Sequence, residues 1–178
     1  MPGYGCTEKR PNVLTALDVP EASLNDAEKN IVAKIREHGW FCTSVIAEEG
    51  YLGFSYTTGF WKSLGAPEIV VFSLPSETAH DLLWNAYRYI KDMSFLPIGS
   101  RTSVLAERFD LTFLPVRREE YQNYILSSRW FYGSEDFPCI QMIWPDTANL
   151  FPWQSGFDSR FAADQPDLSI DGWDRQPN

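Results

Sequence analysis

The sequence is short of cysteine and histidine. Its three cysteines, Cys6, Cys42 and Cys139, lie far apart and form no CxxC or CxxxC pair. A disulfide framework and a zinc knuckle are therefore disfavoured, and we expect Cys42 and Cys139 to be inert core thiols. His38 and His80 are the two histidines. Because a metal site needs three or four converging ligands, this scatter predicts none.

Nucleotide-binding loops are missing as well. Neither GxGxxG nor GxxxxGK[ST] occurs, so the usual dinucleotide and phosphate cradles are excluded and we expect no cofactor. A cation site made of oxygen ligands alone, such as those of Asp146 and Asp158, stays an open alternative, although no residue spacing specifies such a site.

Excess positive charge is absent. The formal net charge is −9, and the one dense basic pair, Arg117-Arg118, is followed at once by Glu119-Glu120. Because affinity for a phosphate backbone comes from Lys and Arg, nucleic acid is an unfavourable partner. A cationic protein partner is easier to accommodate. The sequence leaves the oligomeric state open.

Long apolar runs are absent too. No run approaches the roughly 18 residues of a membrane-spanning helix, so no membrane association is expected. Residues 1–6 lack the basic and then apolar stretch of a signal peptide, which makes the cytoplasm the expected compartment.

What the chain does contain is enough apolar surface for one core. Of its 178 residues, 44% are hydrophobic and 15% are aromatic, which suits a single domain. Residues 1–22 are rich in small residues and predict an irregular N-terminal arm. Residues 23–157 form the expected domain. Residues 158–178 contain five Asp and two Arg. They predict an acidic tail that lies over the surface or is partly mobile.

Hydrophobic periodicity predicts helices and strands in mixed order. Asn25 with Glu28 forms a capping box, and Gly39 is suited to end the helix that follows. The predicted helices cover residues 25–38, 75–90 and 119–126, and the predicted strands cover residues 40–47, 51–58, 68–73, 101–106, 111–116 and 139–144. Residues 59–67 are interpreted as a connector. Hairpins mixed with helices favour an α+β fold, with about three helices packed against a largely antiparallel sheet.

Several stretches carry a family resemblance in consistent order. They are residues 37–40 (EHGW), 56–60 (YTTGF), 66–72 (APEIVVF), 141–146 (QMIWPD) and 150–157 (LFPWQSGF), with Gln165-Pro166 after them. Together they resemble a bacterial family known as domain of unknown function 4262 over roughly residues 25–168. The resemblance implies a small bacterial protein and brings no established activity.

A fainter likeness touches domains of the suppressor-of-fused type. It rests on the Pro67-Glu68 strand that leads into the Pro75 helix, and on residues 113–116 (FLPV) before an acidic helix. Bacterial members of that type look like immunity proteins against secreted toxins. This likeness implies protein binding.

Polar and aromatic side chains at strand ends are the candidate binding residues. Hydroxyls before Gly59 can line a pocket, and large aromatics beside polar groups make good recognition surfaces. The candidates are Tyr56, Thr57, Thr58, Gln141, Trp144, Trp153 and Gln154. For Gln141, Trp144, Trp153 and Gln154, packing of a long loop onto the sheet, with Asp146 capping a turn, is the favoured interpretation.

Two function classes remain open. The first is a protein-binding or immunity-like module, favoured by the acidity, the aromatic excess and the lack of a complete catalytic set. The second is a small-molecule enzyme with a pocket near Tyr56, His80 and Asp146, in which His80 or Asp146 would be the general base. For His80, which lies beside Asp81 and Glu77, a surface position on the helix is the favoured interpretation, and His38 suits a helix end. We prefer the binding module.

Overall fold

A five-stranded sheet forms the centre of the protein. The computed structural model describes residues 14–93 and 95–176. The strands are β1 (Phe41–Val45), β2 (Phe54–Thr58), β3 (Glu68–Phe72), β4 (Thr112–Pro115) and β5 (Cys139–Ile143), in the order β1-β2-β3-β5-β4. β3 and β5 are parallel, whereas the other three pairings are antiparallel.

Helices cover both faces of this sheet. They are α1 (Asp26–His38), α2 (Phe60–Leu64), α3 (Ser76–Met93), α4 (Tyr121–Tyr124) and α5 (Leu126–Tyr132). Along β3, Ile69 and Val71 pack with α3, while Val70 and Phe72 pack on the opposite face with α1, α4 and α5. Because β3 is buried on both faces, its near-continuous apolar run follows directly. The expected α+β class is confirmed.

The start and end of α1 agree with the sequence prediction. Asn25 Oδ1 accepts from the Glu28 N–H (3.0 Å), and Glu28 Oε2 accepts from the Asn25 N–H (2.8 Å). Gly39 ends the helix in the left-handed region, with φ of +88°. Both caps satisfy backbone groups that the helix itself cannot pair.

Three local predictions were wrong. Residues 60–64 form a helix rather than a connector, because Gly59 and Gly65 take positive φ values on either side of it. Residues 101–106 make one bridge, Thr102 to Leu111, and no strand. The helix expected over residues 119–126 is divided at Ile125 (φ −117°, ψ 49°), and α5 then continues to Tyr132.

Both ends of the described chain pack against the domain. Residues 1–13 lie outside the described residues. From Leu14 onward the expected arm contains 3₁₀ turns at Ala16–Asp18 and Glu21–Ser23, and Thr15 is buried. The expected tail is also held in place. The Ile170 N–H donates to the Pro115 carbonyl (2.9 Å), so the tail covers the outer edge of β4.

Candidate functional site

Glu68 is the centre of a buried polar network at the start of β3. Its carboxylate is fully buried and accepts hydrogen bonds from the Thr57 hydroxyl (2.6 Å) and the Tyr132 hydroxyl (2.5 Å). It also accepts from the N–H groups of Gly59 and Trp61, each at 3.0 Å. Gly59 has no side chain to cap α2, so the distant carboxylate takes that role. Burial raises the pKa of Glu68, against the effect of the four donors.

Tyr56 and Thr58 fasten β2 to α5. The Tyr56 hydroxyl donates to Ser127 Oγ (3.0 Å) and accepts from the Ser127 N–H (3.1 Å). The hydroxyls of Thr58 and Ser128 lie 2.8 Å apart. Tyr56, Thr57 and Thr58 are all buried. The hydroxyls proposed to line a pocket therefore hold two elements together.

Gln141 and Trp144 hold the C-terminal segment against β5. The Gln141 amide donates to the Pro166 carbonyl (2.8 Å) and accepts from the Leu168 N–H (3.2 Å). Gln165 makes the matching contact, since its side chain pairs with both the N–H and the carbonyl of Trp144. Gln141, Trp144 and Gln165 are buried, so this network is a structural clamp.

Asp146 organises the loop after β5. One carboxylate oxygen accepts from the N–H groups of Ala148 and Leu150, each at 2.9 Å, and the other accepts from the Asp158 N–H (2.8 Å). These backbone donors, that of Leu150 foremost, lower the pKa of Asp146. A carboxylate with this set of donors suits a turn cap, as the packing interpretation predicts.

Trp153 and Gln154 belong to the same half-buried loop. The Trp153 ring stacks on Phe151 with 5.1 Å between ring centroids. Gln154 Oε1 accepts from Arg101 Nη2 (2.8 Å) and from the Phe151 N–H (2.9 Å). The Arg101 guanidinium lies 4.7 Å from the centre of the Phe151 ring. These contacts fix the conformation of the loop.

His80 lies on the outer surface of α3. Its side chain is 56% exposed, and Nδ1 is 4.0 Å from the exposed carboxylate of Asp81. The imidazole stacks on Trp40 at 5.7 Å between centroids, and Trp40 stacks in turn on Trp84 at 5.6 Å. His80 is thus the exposed end of an aromatic stack.

The structure does not bring the proposed catalytic residues together. Tyr56 packs in the cluster that contacts α5, whereas His80 stacks on Trp40 in the cluster of the opposite face. Asp146 is enclosed by its own loop. Two grooves of about 350 and 290 Å³ open elsewhere, beside Trp130 and beside Trp61, and neither contains these three residues.

Backbone hydrogen bonds fix which way each residue of the hairpin faces. The Ser73 N–H donates to the Gly53 carbonyl (2.8 Å), so Gly53 turns its backbone groups toward β3. In an antiparallel ladder this direction alternates from residue to residue. Tyr56 therefore faces β1, where its partner is Thr43, and Thr43 faces back toward Tyr56.

Cys42 and Ser44 consequently turn their N–H and carbonyl groups out of the sheet. β1 is the end strand, and no backbone hydrogen bond among residues 14–93 and 95–176 joins its outer side to another segment. The tail covers the opposite edge, on β4. Cys42 is half-buried, and burial raises the pKa of its thiol.

Apolar side chains are exposed where this open edge ends. Val45, Ile46 and Tyr51 are 40%, 80% and 77% exposed. We call these three residues the hairpin patch. The turn between Glu48 and Tyr51 is closed by two backbone hydrogen bonds of 3.2 and 2.9 Å, which hold the patch on a defined hairpin. An open strand edge beside exposed apolar groups is a template for another chain.

Comparison with known proteins identifies the family. The model of the family described as "Domain of unknown function (DUF4262)" matches residues 34–158. The chain belongs to this family. No curated protein and no solved structure matches the chain.

In this member of the DUF4262 family, the stretches that carry the resemblance form internal contacts. A Cβ on Gly59 would lie 2.8 Å from the Gly39 carbonyl oxygen, and Ser63 Oγ donates to the same oxygen (2.5 Å). A Cβ on Gly39 would meet the Tyr87 hydroxyl oxygen. Glycine at both positions allows α1, α2 and α3 to approach closely.

Three features of the site were not predicted from the sequence: Glu68, Tyr132 and the open edge. Glu68 was interpreted only as the first residue of a strand, although a carboxylate inside an apolar run was a signal of a buried polar site. Its partner Tyr132 is 64 residues away, and no local pattern joins the two. The backbone N–H and carbonyl groups of Cys42 and Ser44 point out of the sheet because β1 is the end strand, and strand order is not encoded in a local pattern.

Within the two described segments, no group of three or more His, Cys, Asp or Glu side chains is arranged to hold a metal ion. None of the helices described there combines the length and hydropathy required to cross a bilayer.

Proposed function

We propose that this member of the DUF4262 family is a protein-binding module and that it holds its partner along the open edge of β1. The observation that carries the proposal is the outward direction of the backbone groups of Cys42 and Ser44. Pairing with an extended segment would satisfy these donors and acceptors, as in other cases of strand addition.

The hairpin patch supports the same surface. Ile46 and Tyr51 are large, exposed and adjacent to the edge, so a partner strand can bury apolar area as well as form backbone hydrogen bonds. The net charge of −9 adds long-range attraction for a cationic partner. An immunity-like role would use such a surface, since it requires recognition of another protein.

The enzyme alternative has less support. Tyr56 and Asp146 are occupied by hydrogen bonds within the protein, and His80 is on the other side of the sheet from Tyr56. We therefore retain protein binding as the proposed function.

Ser44 offers a direct test of the edge. A library of displayed random peptides is selected on the purified protein, and the enriched peptides are measured against Ser44→Pro and Ser44→Ala. Proline removes the outward N–H and leaves the ladder to β2 in place, because an edge position tolerates it. We expect Ser44→Pro to weaken binding at least about tenfold, from the lost hydrogen bond and the steric block of the ring.

Ser44→Ala is the matched control. Both substitutions remove the Ser44 hydroxyl, which lies 2.9 Å from that of Ser55, but only proline removes the N–H. The affinity of Ser44→Ala for the selected peptides should be within about twofold of that of the wild type. Amide hydrogen exchange gives a readout without substitution, since Ser44 should gain protection when a peptide is bound. Equal binding by Ser44→Pro, or no enrichment at all, contradicts the proposal.

A further inference from the structure

The charged residues of the hairpin that carries the open edge are all acidic. The residues from Gly39 to Trp61 include Glu48 and Glu49 and contain no Lys, Arg or His. Both glutamates are exposed. Within residues 14–93 and 95–176, no basic side chain pairs with either of them. Their charge is therefore available to a partner.

The edge itself is short. β1 has five residues, and only Cys42 and Ser44 within it direct backbone groups outward. Net hydrogen-bond contributions are modest because each bond replaces one to water. Backbone pairing over so few residues cannot select one partner, so selection must come from the side chains beside the edge, which are the hairpin patch and the two glutamates.

We infer, resting on the proposed function, that the occupant of the β1 edge is an extended segment of a partner protein in which basic side chains alternate with apolar ones. In a strand, alternate side chains point to opposite faces. Apolar residues on one face can cover Ile46, while the aliphatic stems of the Lys or Arg residues on the other face lie along Val45 and their charged ends reach Glu48 and Glu49 at the turn. Charge complementarity thus fixes the chemistry of the occupant.

A second copy of the chain is the less suitable occupant. Two molecules of net charge −9 repel each other, and both would present an acidic hairpin at the junction. Like charges placed together at an interface oppose association. No basic residue of the hairpin is available to offset this repulsion.

The test uses three blocked peptides of about nine residues that alternate valine with lysine, with glutamate or with threonine. Binding to the full chain is followed by fluorescence anisotropy and by the amide shifts of Cys42 and Ser44. We expect the lysine peptide to bind and to lose affinity as salt rises from about 50 to 500 mM, because screening shortens the range of the charges. The glutamate peptide should not bind.

The variant Glu48→Gln/Glu49→Gln removes both charges and keeps the shape of the hairpin. It should weaken binding of the lysine peptide about tenfold and leave the affinity for the threonine peptide unchanged. The matched control, Glu107→Gln/Glu119→Gln, removes two exposed carboxylates on either side of β4, at the opposite edge of the sheet, and should change binding less than about twofold.

The outcomes separate this inference from the proposed function. Equal binding of all three peptides at the Cys42 and Ser44 amides overturns the cationic occupant and leaves strand addition standing. Dimerisation of the chain that Ser44→Pro abolishes shows that a second copy is the occupant, and it also overturns the inference. Absence of any shift at these amides with every peptide, and with the library-selected ones, overturns both.

Discussion

Replacing Glu68 by glutamine tests how the buried network is held together. The carboxylate accepts from two hydroxyls and two backbone N–H groups, all of them neutral. An amide of the same shape can place its oxygen where Oε1 lies, toward Gly59, Trp61 and Tyr132. Its NH₂ group then faces the Thr57 hydroxyl oxygen, which can accept a hydrogen bond. The substitution therefore preserves the packing and removes one ionisation.

The expected effect is a change in how stability depends on pH. Burial raises the folded-state pKa of Glu68 above the ordinary 4.5, so the folded chain keeps this proton to a higher pH than the unfolded chain. Between pH 4.5 and the folded pKa, folding takes up a proton, and stability falls as pH rises. One such group contributes a slope of at most about 1.4 kcal/mol per pH unit.

Urea denaturation followed by tryptophan fluorescence, from about pH 4 to pH 8, measures this slope. The other carboxylates contribute alike to both proteins, so they cancel in the difference between wild type and Glu68→Gln. That difference should be small at the acid end, and it should shift in favour of the variant as pH rises. Glu119→Gln, which removes an exposed carboxylate, is the control and should show no such trend.

Two other results would show that burial does not raise the pKa of Glu68. A difference that does not change with pH means that folding leaves the pKa of Glu68 where it is in the unfolded chain. A difference that moves in favour of wild type as pH rises means that the four donors outweigh burial and lower the pKa. Glu68 would then stabilise the fold as an anion.

The remaining predictions concern close contacts and the C-terminal clamp. Gly59→Ala should destabilise the protein by about 1–3 kcal/mol, because φ is +112° and the new Cβ would meet the Gly39 carbonyl. Gly65 has a φ of +68° and open space around it, so Gly65→Ala should destabilise the protein less than Gly59→Ala. Thermal denaturation of the two variants measures the difference. Gln165→Ala should cost about 2 kcal/mol or more, because it leaves the buried N–H and carbonyl of Trp144 unpaired. Limited proteolysis should then cut residues 158–176 more rapidly.

Local patterns were sufficient to predict most of the fold. The capping box at Asn25, the apolar run of β3 and the turn near Gly50 each involve neighbours within a few residues, and each element was found where it was expected. The wrong prediction for residues 60–64 has another origin, because a partner outside that segment takes part in the helix cap. The N-cap residue of α2 is Gly59, whose N–H is bonded to Glu68, so the cap cannot be recognised from the residues beside it.

The candidate site was less predictable for the same reason. Asp146 was open to two interpretations, and its three backbone partners belong to the single loop that the packing interpretation described. The Thr57 hydroxyl is hydrogen-bonded to Glu68, and the Tyr56 hydroxyl is hydrogen-bonded to Ser127, which is 71 residues later. Which backbone groups of β1 point outward follows from strand order, and no short motif encodes strand order.

The short stretches quoted for the family resemblance leave out the proposed binding surface, although the family match over residues 34–158 includes it. Residues 37–40 and 56–60 are two of the stretches that carry the resemblance, and in the structure Gly39, Trp40 and Gly59 are part of close internal packing. The edge of β1 and the hairpin patch lie between these two stretches. Internal contacts of this kind constrain residue type tightly, because a single added methyl group would collide with a neighbouring carbonyl. An exposed hairpin has no such constraint, so its side chains can be matched to a partner without loss of the fold. Under the proposed function, the identity of the partner would therefore depend on the side chains of the hairpin.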